Sequence, residues 1–140
     1  EFKGFNSLDG HGLKMLKGSG VEIAIITGRS SRVVEHRAKN LGIEIVHQGA
    51  HDKLAVYEAL CRDLDIDFET TAYMGDDVVD LPVMRRAGLA ITVPAAPELV
   101  KAHSHLITTR QAGHGAVREA CEFLMRAQGT LDAALAPYLR

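Results

Sequence analysis

The chain has 140 residues, of which 46% are hydrophobic and 24% charged, and its formal net charge is −2. That size suits one domain with a real core, and the charge balance supplies no basic field to recruit nucleic acid. No apolar run approaches the roughly 20 residues needed to cross a bilayer, so no membrane span is expected, nor is a signal peptide at its start.

Glu1 to Asn6 alternates as a short strand would, and it starts abruptly, as though something preceded it. Ser7 to Gly12 reads as a turn-rich approach to a short helix, Leu13 to Lys17, which stops at Gly18-Ser19-Gly20. Val21 to Ile26 is a β-branched run of the kind buried on both faces of a parallel sheet. After Thr27-Gly28-Arg29 comes an amphipathic helix, Arg32 to Asn40, capped by Gly42. The unit then recurs. Ile43 to His47 is a strand, Gln48 to His51 its loop, and Asp52 to Leu64 a helix with Leu54, Tyr57, Leu60, Cys61 and Leu64 on its inner face. Phe68 to Met74 is a third strand, Leu81 to Ala87 a helix, and Leu89 to Val93 a buried strand ended by Pro94 and Pro97. A short helix from Glu98 to Ala102, a weak strand from His105 to Thr108 and a long helix from Ala116 to Gln128 follow, with a partly helical tail to Arg140. This alternation predicts right-handed βαβ crossovers and an α/β fold: a doubly wound, mostly parallel sheet in three layers. Cys61 and Cys121 form no C-x-x-C pair and read as buried, reduced thiols of a cytoplasmic protein.

The stretch around which this order is arranged is Tyr73-Met74-Gly75-Asp76-Asp77-Val78-Val79-Asp80. An apolar-leaning run ends at a glycine, and three carboxylates follow at once. So many like charges together are unfavourable unless a cation or hydrogen-bond donors neutralise them. Oxygen ligands without a nearby histidine or cysteine suit Mg²⁺ better than Zn²⁺. A solvated, Asp-rich turn with an N-cap is the plainer reading. His103 and His105 have the spacing of two same-face strand residues but lack a third ligand.

Loops after successive parallel strands open on one edge of the sheet. Thr27 follows the first buried strand, where a hydroxyl and neighbouring N–H groups at a helix start suit a phosphate, or where the threonine merely caps the helix. Lys53 starts the helix after the second strand. A cation there opposes the helix dipole, so an anion or the aspartates must compensate, unless it is simply solvated.

The order strand–Thr27, strand–Lys53, strand–Gly75-Asp76-Asp77-x-x-Asp80 resembles the haloacid dehalogenase superfamily of phosphotransferases. The match narrows with Phe5-Asn6-x-x-Asp9-Gly10-x-Gly12, Ile25-Ile26-Thr27-Gly28-Arg29, Gln48-Gly49 with Lys53, the acidic loop followed by Pro82-Val83-Met84, and Gly113-x-Gly115-Ala116-Val117-Arg118-Glu119. Five ordered motifs at this spacing look like the capless 3-deoxy-D-manno-octulosonate 8-phosphate phosphatases, which act in lipopolysaccharide precursor synthesis.

That resemblance implies a Rossmann-like fold and a Mg²⁺-dependent phosphomonoesterase for a phosphorylated acidic keto-sugar. Asp76 would be the Mg²⁺ ligand of the acidic loop, with Asp77 and Asp80 supporting it. Thr27, with Gly28 beside it, and Lys53 would bind the phosphoryl group, and Arg29 would clamp the sugar's carboxylate. Asn6 and Asp9 would lie at the edge of the site. The family forms tetramers whose neighbours cover the open site, and Gly113 to Arg118 is implicated in that closure.

The family's nucleophile motif, Asp-x-Asp-Gly, does not occur in this sequence. In the resembling enzymes its first aspartate forms the aspartyl-phosphate and its second is the general acid and base. The expectation is therefore a carboxyl-terminal portion, with the first strand and a tetramer-building hairpin missing, inactive by itself. Three other readings compete. A phosphatase of nine-carbon, sialic-type sugar phosphates is disfavoured by Arg29. A receiver domain would place its acidic pair before Thr and Lys. A catalytically inactive oligomerisation module stays open.

Overall fold

The computed structural model describes residues 6–140, and these cluster into two compact units. The expected strand over Glu1 to Asn6 lies outside the described residues, apart from Asn6 itself.

The first unit gathers residues 6–24, 31–46 and 112–140. Its first helix, α1 (Ser7–Gly18), is about two turns longer than the sequence pattern predicts. Asn6 is the N-cap, its side chain accepting from the N–H groups of Leu8 and Asp9. Gly10 and Gly12 are buried helix positions, not turn residues. A Cβ on Gly10 would strike the Arg37 guanidinium and come within 3.2 Å of Leu41; one on Gly12 would meet Arg118 at 2.8 Å. The glycines are there because neighbouring helices come too close for anything larger. Helix α2 (Arg32–Asn40) has the predicted bounds, with Ser31 as N-cap and Gly42 in the left-handed region just beyond its end. Helix α6 (Ala116–Gln128) also matches and ends at Gly129, φ 73°. The tail forms α7 (Leu131–Leu135) and a 3₁₀ turn that sets Tyr138 edge-on to His11.

The second unit holds residues 25–30 and 47–111. Its core is a three-stranded parallel sheet in the order β3 (Ala72–Met74), β4 (Leu89–Thr92), β5 (Leu106–Ile107), with Tyr73 opposite Ala90 and Ile91 opposite Leu106. Helix α3 (Lys53–Asp63) packs Tyr57 and Cys61 with Val83 of the short helix α4 (Leu81–Met84), and Leu54, Phe68 and Tyr73 close around them. Helix α5 (Glu98–Ala102) has the predicted bounds. Helix α3 stops one residue early because Asp65 takes a left-handed conformation, φ 52°, which Asp tolerates better than most residues.

The strands depart most from expectation. The expected α/β fold holds, but β1 (Ala24–Ile26) and β2 (Ile45–His47) pair in a sheet of their own, so its strands fall in two sheets among the described residues. β1 is also not buried on both faces: Ala24 is exposed, and Ile25 and Ile26 are only half-buried. A β-branched run reports a strand, but its burial depends on what lies on each side. The predicted strand from Phe68 begins instead with a 3₁₀ turn, Phe68–Thr70, whose Phe68 carbonyl accepts from Gly88 N–H at 2.9 Å. Likewise, the helix predicted from Leu81 to Ala87 is only a single turn, α4 ending at Met84, and a 3₁₀ turn, Val78–Asp80, precedes it.

Candidate active site

Three loops of the second unit carry the predicted phosphate and metal residues. Strand β3 ends at Met74, and Gly75 is held from both sides. Its N–H donates to the Ile91 carbonyl at 3.1 Å, and its carbonyl accepts from the Thr92 hydroxyl at 2.7 Å. Thr92 is fully buried, so this bond carries no competition from water. The chain then turns through Asp76 and Asp77 into the 3₁₀ turn that ends at Asp80.

Asp80 is the centre of the loop. It is 4% exposed, and both of its oxygens are filled by protein donors. Oδ2 accepts from the N–H groups of Asp76 at 3.0 Å and Asp77 at 3.2 Å. Oδ1 accepts from Lys53 Nζ at 2.8 Å and from the Tyr73 hydroxyl at 2.8 Å. Burial opposes the charge on Asp80, but the bonds from Lys53, Tyr73 and the Asp76 backbone outweigh it and hold the carboxyl below the ordinary range. Tyr73 moves the other way: burial first, then the Asp80 bond and the charges of Asp80 and Asp76, push its phenol well up. Asp77 is exposed and caps the 3₁₀ turn, accepting from Val78 N–H at 2.7 Å.

Lys53 is the first residue of α3, one after the N-cap Asp52, whose carboxylate accepts from Ala55 N–H. Its unfavourable place at the positive end of a helix is offset by Asp80. Thr27 is tied to the loop before this helix: its N–H donates to the His47 carbonyl and its carbonyl accepts from Ala50 N–H, both at 2.9 Å. The Thr27 hydroxyl accepts from Arg29 N–H at 3.2 Å. Ser31, and not Thr27, caps α2. Gly28 and Arg29 lie exposed in this loop, and Arg29's carbonyl accepts from Gly49 N–H. Thr27 is thus bonded to Ala50, three residues before Lys53, and Lys53 is bonded to Asp80, which holds Asp76.

The remaining predicted residues lie in the first unit and engage one another. Asn6 caps α1. Asp9 accepts from Arg118 N–H at 2.9 Å and so anchors the start of α6. The Arg118 guanidinium donates to Glu122 at 3.2 Å and to the Leu8 carbonyl at 3.3 Å. Cys61 and Cys121 are both buried and free, and burial raises both thiols, Cys121 to about 12 with Asp9 adding to the shift.

The sequence pattern of the haloacid dehalogenase-like hydrolases matches residues 5–88. The 3-deoxy-D-manno-octulosonate 8-phosphate phosphatase KdsC of Yersinia pestis is 42% identical over 134 residues, covering 96% of this chain and 72% of its own. The chain belongs to this phosphatase family of haloacid dehalogenase-like hydrolases. KdsC of Escherichia coli K12 is 43% identical over 96% of this chain and 71% of its own length. The crystal structure of the Moraxella catarrhalis family member, in complex with a magnesium ion, a phosphate ion and KDO, superposes with a TM-score of 0.96 at 48% identity, over 99% of this chain and 79% of that one.

The acidic loop of this family member suits a hard divalent cation as part of a ligand set. Among the described residues no three His, Cys, Asp or Glu side chains form a complete cage. Asp80 is saturated by its four donors and Asp77 is used as a cap, whereas the carboxylate of Asp76 is exposed. Mg²⁺ is commonly held by one or two carboxylates with water and phosphate oxygens, so the donor chemistry fits. His103 and His105 do not join it: His105 Nδ1 accepts from Ala90 N–H at 2.8 Å, and His103 Nδ1 bonds the Leu99 carbonyl.

Tyr73 and Thr92 were not legible as site residues. Tyr73 reads as one more strand residue, and its only signal is a phenol placed three residues before the first of three carboxylates. Thr92 gives no signal, since a threonine in a β-branched strand is ordinary.

Proposed function

We propose that these residues bind the phosphoryl group and metal in a Mg²⁺-dependent phosphomonoesterase that hydrolyses 3-deoxy-D-manno-octulosonate 8-phosphate to the free sugar acid and phosphate. The observation that carries it is the Lys53–Asp80–Asp76 linkage, with Thr27 bonded to the loop before Lys53. Phosphoryl transfer draws its catalysis chiefly from positioning and charge neutralisation, and this arrangement supplies both.

In this reading Asp76 ligates Mg²⁺, which when bound neutralises charge on the phosphoryl oxygens. Asp77 and Asp80 support Asp76 through the turn they cap and the N–H groups they hold. Lys53, oriented by Asp80, presents its remaining ammonium protons to the phosphoryl group. The Thr27 hydroxyl and the Gly28 backbone complete that cradle, and Arg29 faces the sugar carboxylate. Asn6 and Asp9 shape the substrate edge. Arg118 is supplied across a homotetramer, and to reach a carboxylate it must release Leu8 or Glu122. The nucleophile and the general acid are aspartates of an Asp-x-Asp-Gly motif outside these 140 residues, and the enzyme works in the cytoplasm.

The test is to join the amino-terminal segment of the Yersinia relative to this chain. The joined protein is expected to release phosphate from the eight-carbon substrate with Mg²⁺, whereas the 140-residue chain alone gives none. Release from a nine-carbon sugar phosphate in preference would overturn the substrate assignment. Turnover by the unjoined chain would overturn the placement of the nucleophile.

A further inference from the structure

Asp80 does two jobs with one carboxylate. Its Oδ2 sets the Asp76 and Asp77 N–H groups, and its Oδ1 sets Lys53. The loop is therefore only as well placed as Asp80, and Asp80 is fixed by what donates to Oδ1. One donor is Lys53, a long side chain with four rotatable bonds whose ammonium is required elsewhere once a phosphate arrives. The other is the Tyr73 hydroxyl, at 2.8 Å. Tyr73 is a stiff side chain on β3, paired in register with Ala90 and packed with Tyr57, Cys61 and Val83.

We propose that Tyr73 is a positioning residue for the acidic loop: it holds Asp80 independently of substrate, so that Lys53 can turn to the phosphoryl group while Asp76 stays in place. Without the phenol, Lys53 is the sole donor to Oδ1, and any move of the lysine toward phosphate slackens the carboxylate that orders the loop. The functional part of this inference rests on the reading of Lys53 and Asp76 given above; the structural part does not.

The experiment is amide hydrogen exchange by NMR on the full 140-residue chain, comparing Tyr73→Phe with Tyr57→Phe. Tyr57 is the matched control. Its hydroxyl shares a 2.7 Å bond with the Thr71 hydroxyl and it lies in the same packed cluster, but it is not one of the four donors to Asp80. Tyr73→Phe is expected to speed exchange at the Asp76 and Asp77 amides by about tenfold, the scale of one hydrogen bond to a charged group. Exchange at Gly75, whose N–H is bonded to the Ile91 carbonyl, stays near wild type. Unchanged rates at Asp76 and Asp77, or equal acceleration in Tyr57→Phe, overturn the proposal. A measurement on the wild type guards against a variant that does not fold: the Tyr73 hydroxyl proton is expected as a slowly exchanging resonance close to the Lys53 ε-protons, and its absence also overturns the assignment.

Titration with MgCl₂ separates this inference from the reading beneath it. The Asp76 amide of the wild type is expected to shift with Mg²⁺, Asp76→Asn to abolish the shift, and Tyr73→Phe to weaken it about tenfold. No shift in the wild type overturns the metal assignment of Asp76, and the exchange rates still decide whether Tyr73 orders the loop.

Discussion

Lys53 and Asp80 are 27 residues apart in sequence and 2.8 Å apart in space, and their side chains are only 16% and 6% exposed. A pair this far out of water is poor evidence of net stabilisation, because desolvation consumes much of the attraction. Removing one member is another matter. Asp80→Ala leaves the ammonium without its partner and strips acceptors from Tyr73 and two backbone N–H groups. The expected loss of unfolding free energy is about 3–5 kcal/mol by urea denaturation. Replacing Lys53 by Met, which leaves Asp80 with three donors, is expected to cost less. An equal or larger loss from Lys53→Met would mean that the lysine, and not the carboxylate, organises the loop.

Three glycines separate the effects of space from those of backbone freedom. A Cβ on Gly75 would sit 2.5 Å from Asp80 Cβ and 2.6 Å from its Cγ, so Gly75→Ala displaces the carboxylate itself. It is expected to destabilise by about 1–3 kcal/mol and to release the Asp76 and Asp77 amides. A Cβ on Gly88 would overlap the Glu69 carbonyl, a backbone atom with little freedom to yield, so Gly88→Ala is expected to cost more. Gly18 is the last residue of α1 and a Cβ there meets nothing within 4 Å. Gly18→Ala is expected to be neutral or to stabilise by up to about 1 kcal/mol. Thermal melts should place Gly88→Ala lowest, Gly75→Ala next and Gly18→Ala at or above the wild type.

The sequence carried the helices with clear stops. The bounds of α2 and α6 follow from Ser31, Gly42 and Gly129, residues whose local chemistry ends a helix whatever surrounds it. It misled at α1, where Gly10 and Gly12 signal a turn locally but answer to Arg37, Leu41 and Arg118 from distant parts of the chain. The spacing of Thr27, Lys53 and Asp76 put the phosphate and metal candidates on three strand-following loops, and all three belong to the second unit. The hub role of Asp80 was not legible, because its four donors come from β3, α3 and the loop's own backbone. Their convergence is a tertiary fact.

Asp9 and Arg118 offer a test confined to the first unit. Helix α6 begins after Gly115, which has no side chain with which to cap it, and Asp9 of α1 accepts from the Arg118 N–H instead. A carboxylate on the free N–H groups of a helix start acts as a cap supplied from another helix. Asp9→Ala is therefore expected to cost about 1–2 kcal/mol, and Asp9→Asn, which keeps the acceptor, roughly half of that. Exchange at the first-turn amides of α6 should rise in step. A loss equal in both variants would indicate that charge on Asp9 matters more than its hydrogen bond.

The opposite pKa shifts of Asp80 and Tyr73 predict opposite limbs of the pH–stability profile. The folded chain holds Asp80 ionised below the ordinary carboxylate value of 3.8, so on acidification the unfolded chain takes up a proton first. Stability from this group is fully present above that value and is lost as pH falls through the lower, folded one. Asp80→Asn removes this contribution, so the variant should be weaker at neutral pH and its acid limb shallower. On the alkaline side the unfolded tyrosine ionises near 10.0 while the folded Tyr73 stays neutral. The unfolded state then binds fewer protons, and stability falls as pH rises above that value. Tyr73→Phe should make the alkaline limb shallower without abolishing it, because the buried thiols of Cys61 and Cys121 and the Tyr57 phenol are also raised. It should leave the acid limb present but reduced, since Lys53 and the Asp76 N–H still hold Asp80. Urea unfolding across both limbs checks the pair, and an alkaline limb of unchanged slope in Tyr73→Phe would show that the phenol is not held neutral by the fold.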